Sequence, residues 1–191
     1  MDIPAVVDRA IPRAGGKYDE LTRKARNKLA EATSSGWAAP IAKALHGNEW
    51  LGHPLHPVVI ALPIGAWSVT GWYDLRSALS GDPGQEESAD AALKVGVVGA
   101  IVAATTGAVQ YLDTHGAVRR ETAVHAGLNN LALALYLGSM AARRAGSRPL
   151  GRRLSLVALS LVGVSGYLGG DLSYRHGVGV QREAVTAPVT A

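Results

Sequence analysis

The chain has 191 residues, of which 48% are hydrophobic and only 18% charged, with a formal net charge of +4. So few charges on one modest domain are unusual for a protein bathed on all sides by water. There is no cysteine, which excludes a disulfide framework, covalent c-type haem attachment, thiolate zinc sites and any iron–sulfur cluster held by this chain alone.

Residues 1–50 read as a polar N-terminal tail. Residues 1–17 contain neither an apolar core nor a twin arginine, so no cleavable signal peptide is expected there. Tyr18, Leu21, Ala25 and Leu29 recur at three- and four-residue steps, while Arg23, Lys24, Arg26 and Lys28 fill the other face. This pattern describes an amphipathic helix that either lies on an anionic membrane surface or is simply solvated. No nucleic-acid motif accompanies the basic residues, and no nucleic-acid partner is expected.

Four apolar runs follow, over residues 58–75, 91–112, 123–142 and 154–172. At about 1.5 Å per residue each reaches roughly the 30 Å of a bilayer's hydrocarbon core. Charges fall only near the ends of the runs, at Asp74, Lys94 and Asp171. The alternative is a soluble four-helix bundle, whose helices should show a polar face every 3.6 residues; residues 100–104 and 156–164 show almost none. The expected fold is therefore all-α: a four-helix transmembrane bundle, up-down-up-down because the connections are short, occupying residues 51–180 behind the polar tail. Residues 181–191 are expected to form a flexible C-terminal tail. Gly99, Ala103 and Gly107 on the second run, and Gly163, Gly166 and Gly170 on the fourth, suit close helix packing.

Alternate threading would bring His46, His53, His56, His115, His125 and His176 to one membrane face, together with Asp113 and Asp171. The other face would carry no histidine. In HPLHP, Pro54 and Pro57 lack an amide proton and stiffen the entry to the first span beside His56, and Pro63 should kink that span. His125, Asn129 and Tyr136 share one helical face, and polar groups at that depth are costly unless they face protein. The candidate cofactor-binding residues are accordingly His56 and His125 as a facing pair, His176 in reserve, and His53 and Asn129 beside them. A pair of imidazoles at equal depth suits haem b, or a single metal, with Arg119, Arg120 and Arg175 on the correct side to meet propionates. The plainer alternative is that the histidines satisfy helix carbonyls, Asn129 bridges helices and Asp171 pairs locally with Arg175. No catalytic residues are assigned, since neither a nucleophile elbow nor a zinc-protease helix is present.

GHPLHPVVIALPIGAW, the His125-x-x-x-Asn129 spacing and GYLGGDLSYRHGVGV resemble a bacterial membrane-protein family known as domain of unknown function 2231, over roughly residues 52–180. The resemblance implies a four-helix inner-membrane domain. In longer relatives such a domain looks to be followed by a Rieske-type [2Fe–2S] domain, which implies a redox setting. This chain departs there, ending in QREAVTAPVTA after Val180, so a Rieske-type partner would be a separate protein. The expected function is a redox-associated membrane module in contact with lipid, with a homo-oligomer an open alternative. The other reading is a cofactor-free anchor or scaffold. Both termini are expected on the same side of the inner membrane, and an uncleaved charged tail favours the cytoplasm.

Overall fold

The computed structural model describes residues 14–180 together with Arg9 and Ile11; the expectation for residues 181–191 lies outside the described residues. The described chain is helical throughout: α1 (Lys17–Thr33), α2 (Ala38–His46), α3 (Asn48–Leu51), α4 (His56–Val59), α5 (Ala61–Ser80), α6 (Pro83–Gln110) with a 3-10 turn at Tyr111–Asp113, α7 (Gly116–Arg144) and α8 (Arg148–Tyr174).

Three stretches are long and apolar enough to cross a membrane: His56–Ser80, Pro83–Asp113 and Arg148–Tyr174. The third apolar run lies in α7, which at 29 residues has the length. His125, Asn129 and Asn130 dilute its apolar character, so α7 does not stand with the other three. The fold is thus all-α with three membrane-capable helices.

Local chemistry sets the ends of these elements. The interruption between α4 and α5 falls at Ile60, one turn before Pro63, whose missing N–H leaves the Val59 carbonyl without its helical donor. Gly81 ends α5 in the left-handed conformation at φ 68°, which glycine adopts without strain. Asp82 then caps α6 by accepting from the Gly84 N–H at 2.8 Å, with Pro83 in the first turn.

α5 packs most tightly on α6 and α7 on α8, forming two helical hairpins joined by α6–α7 and α5–α8 contacts. The core comprises Trp67, Leu93, Val97, Ala132, Tyr136, Ala158 and Val162. Trp67 stacks on Tyr136 with ring centroids 4.0 Å apart and planes at 16°. That approach requires glycine at position 96, where a Cβ would overlap the Trp67 ring. Large apolar side chains point outward instead: Trp72, Val98, Ile101 and Leu156 are each more than half exposed. Apart from Leu93 and the Trp67–Tyr136 stack, the interior is built largely of small residues, with large apolar residues outside, as expected of helices packed in lipid, where exclusion of water does not drive helix association.

Candidate functional site

The end of the bundle formed by α4, the C-terminal part of α6, the start of α7 and the end of α8 collects most of the histidines. His56 opens α4. Its Nδ1 lies 2.9 Å from the Ala103 carbonyl and 3.3 Å from Thr106 Oγ1 on α6. Its ring rests on Gly107, where a Cβ would sit 2.9 Å from Cε1. His125 on α7 repeats the arrangement toward α8. Its Nδ1 lies 2.8 Å from the Ser165 carbonyl, and its ring rests on Gly169, where a Cβ would sit 3.0 Å from Cε1. A carbonyl can only accept, so each Nδ1 carries the proton and each Nε2 keeps its lone pair. Asn129 donates to His125 Nε2 at 3.0 Å. The two imidazoles are thus held by two different hairpins, each through a backbone carbonyl.

His176 joins neither of them. It lies 3.2 Å from Glu121 and 3.8 Å from Asp171, in a group of three whose ligand atoms all fall within 4.8 Å of one another. Arg175 already neutralises Asp171 at 2.9 Å, so this group is built as an ion-pair cluster. A recess of about 310 Å³ opens beside it between Asp113, His115, His176 and Gly179. His53 is exposed, its Nδ1 facing the carbonyl of Pro54 at 3.2 Å. His46 pairs with Asp113 at 2.7 Å.

α1 lies across this end of the bundle. Asp19 receives Arg119 at 2.5 Å and Arg120 at 3.0 Å. Tyr111 donates to the Thr22 carbonyl at 2.9 Å, and Arg26 to the Leu112 carbonyl at 2.9 Å. The docked face therefore runs through Asp19, Thr22 and Arg26, while Leu21 and Ala25 of the expected apolar stripe remain exposed. Polar contacts to the helix ends beneath it, rather than an apolar face, orient the helix. The Gly15 N–H and then the Arg120 hydrogen bond hold the Asp19 carboxyl below its ordinary range. The guanidiniums of Arg119, Arg120 and Arg175, expected to meet propionates, are all engaged by carboxylates.

The opposite end gathers charges that lie far apart in the sequence. Arg143, nearly inaccessible, donates through Nη1 and Nη2 to Asp74 at 2.8 and 2.5 Å, and through Nη1 to Asp90 at 2.9 Å. Ser139 at 3.0 Å and Ser155 at 3.1 Å take its remaining donors. Arg148 meets Asp90 at 2.7 Å and Glu86 at 3.3 Å, and Arg152 meets Glu86 at 2.9 Å. The available signal was that Asp74 closes the first run just where Arg143 closes the third.

A family model described as "Predicted membrane protein (DUF2231)" matches residues 52–182. No curated protein and no solved structure matches the chain.

Proposed function

The chain belongs to the DUF2231 family of predicted membrane proteins, and from that premise we propose that it is a four-span redox-associated module of the bacterial inner membrane that holds haem b between His56 and His125. α7 is the fourth span. Its uncharged stretch over residues 122–142 is long enough to cross; His125 and Asn129 hydrogen-bond within the protein rather than facing lipid, and Tyr136 is buried with its ring on Trp67. The helices then run up-down-up-down and leave both termini on one side. The N-terminal side is cytoplasmic in this reading: α1 brings Lys17, Arg23, Lys24, Arg26 and Lys28 to the end that also carries Arg119 and Arg120, and lysine and arginine set the orientation of spans.

One observation carries the haem reading. Both imidazoles have Nδ1 tied to a backbone carbonyl, which fixes the tautomer and ring plane and leaves Nε2 as the ligand atom. A bound haem would supply one-electron transfer at this rim. His56 and His125 would be its ligands, and Asn129 would have to turn away from His125 Nε2. A separate Rieske-type iron–sulfur protein is the fitting electron partner, because this chain lacks the thiolates for a cluster of its own.

The test is the absorption spectrum of protein purified in mild detergent from haem-replete cells. A Soret band that shifts on dithionite reduction and is lost in His56→Ala and His125→Ala supports the reading. No Soret band, with no stoichiometric metal, overturns it. The hydrogen bond from Asn129 to His125 Nε2 favours a second reading, a cofactor-free membrane anchor or scaffold. There the same two variants change stability and nothing in the spectrum.

A further inference from the structure

We infer that the membrane domain is a tandem repeat of one helical hairpin folded about a two-fold-like axis along the bundle, and that six charges at one end form a recognition key pairing the two unlike hairpins. The first hairpin is α4 to α6; the second is α7 and α8.

The two hairpins share one register. Asp74 and Arg143 are 69 positions apart. The same offset carries His56 onto His125, Pro63 onto Ala132, Trp67 onto Tyr136 and Thr70 onto Ser139. Apart from Ser77, which falls beyond the end of α7, every buried residue of α5 lands on a buried residue of α7. On the returning helices Gly107 and Gly169 are 62 positions apart, and that offset carries Ala89, Leu93, Gly96, Ala103, Thr106 and Gln110 onto Gly151, Ser155, Ala158, Ser165, Leu168 and Leu172. All twelve are buried. The outward face agrees as well: Leu62 and Leu131 are each 51% exposed, and Val102 and Val164 are 43% and 57% exposed.

The contacts obey the same operation. Exchanging the hairpins turns the bond from His56 to the Ala103 carbonyl into that from His125 to Ser165, and places each ring on its equivalent glycine. Trp67 and Tyr136, which exchange with each other, stack at the centre. The α6–α7 contact becomes the α8–α5 contact.

The ion pairs exchange with their signs reversed. Arg148–Asp90 at 2.7 Å becomes Glu86–Arg152 at 2.9 Å, and Arg143–Asp90 at 2.9 Å becomes Asp74–Arg152 at 4.0 Å. Arg143–Asp74 and Arg148–Glu86 map onto themselves. The first hairpin thus carries Asp74, Glu86 and Asp90 where the second carries Arg143, Arg148 and Arg152. Two first hairpins would set Asp74 against Asp74 in a buried site, and two second hairpins Arg143 against Arg143. Like charges out of water oppose each other strongly, so the division selects the unlike pair by attraction and rejects the like pairs by repulsion. The partner that fits the acidic end of the first hairpin is a basic hairpin with the spacing of the second. The inference does not depend on whether the histidine rim holds a cofactor.

Two experiments on the full chain test it. In the first, D74R/E86R/D90R and R143D/R148E/R152D are each compared with the six-fold exchange that combines them. Either triple is expected to lose the monodisperse detergent-solubilised species, and the exchange to recover most of it. An exchange no better than the triples overturns the key. In the second, which needs no disruptive variant, spin labels exploit the absence of native cysteine. Leu62→Cys/Val164→Cys and Leu131→Cys/Val102→Cys are images of each other and should give coincident distance distributions. Distances that differ by more than a helix diameter, about 10 Å, overturn the repeat.

Discussion

Replacing Arg143 with methionine removes a guanidinium whose donors are all in use, on Asp74, Asp90, Ser139 and Ser155. The methionine keeps the length of the stem, so the change is mainly electrostatic. Asp74, with a side chain only 9% exposed, is left as a buried carboxylate with only Arg152 near it at 4.0 Å. Asp90 keeps Arg148. Removing one member of a buried pair typically costs about 3–5 kcal/mol, because the stranded charge keeps its desolvation penalty without its partner. That is two to nearly four decades in the folding equilibrium. Removing both members leaves no stranded charge, so Asp74→Leu/Arg143→Met should recover most of the loss. Equilibrium unfolding in mixed detergent micelles reads both. A loss below about 1 kcal/mol in the single variant, or a double variant as unstable as the single, would refute the reasoning and place Asp74 and Arg143 in contact with water.

Other consequences are equally specific. The Asp19 carboxyl has a lowered pKa in the folded protein, so its contribution to docking α1 is complete above the unfolded carboxylate value, about 4, and is lost as pH falls through the folded value. Hydrogen-exchange protection factors over residues 17–33, corrected for the intrinsic pH dependence of amide exchange, should be unchanged between pH 5 and 8 and fall only below about pH 4; Asp19→Asn should show the lowered protection already at pH 7. Gly107→Ala and Gly169→Ala each push a methyl into an imidazole and should cost about 1–3 kcal/mol by overpacking, measured by thermal unfolding, and weaken any haem absorbance. Asn129→Leu frees His125 Nε2: on the haem reading the Soret band per mole of protein holds or rises, whereas on the scaffold reading only stability falls.

The helical fold was legible because apolar runs of 18 residues or more need no long-range information to be recognised. The end of the run that became α7 was harder to place, because a helix whose polar residues face protein loses average hydropathy without losing a buried position. The docking of α1 on the bundle was not legible, for a related reason. An apolar stripe was sought, yet Asp19, Thr22 and Arg26 bind the exposed helix ends beneath them. For His56 and His125 the spacing of histidine, proline and asparagine marked the right helices. Their partners are backbone carbonyls, which carry no side-chain signature and could not be read ahead. The network around Arg143 escaped because its acids lie on α5 and α6 and its bases on α7 and α8, so no acid stands near its base in the sequence. Only the equal spacing from His56 to Asp74 and from His125 to Arg143 joins them.

The proposed function requires that all four long helices cross the bilayer, so that the entries to the two hairpins share one side. Single cysteines introduced at His53, Ser80, His115 and Ser147, in a chain with none of its own, read this directly with a membrane-impermeant thiol reagent applied to cells and to inverted vesicles. The account predicts that positions 53 and 115 react from one compartment and positions 80 and 147 from the other. Labelling of 115 and 147 from the same compartment would mean that α7 does not cross, and would contradict it.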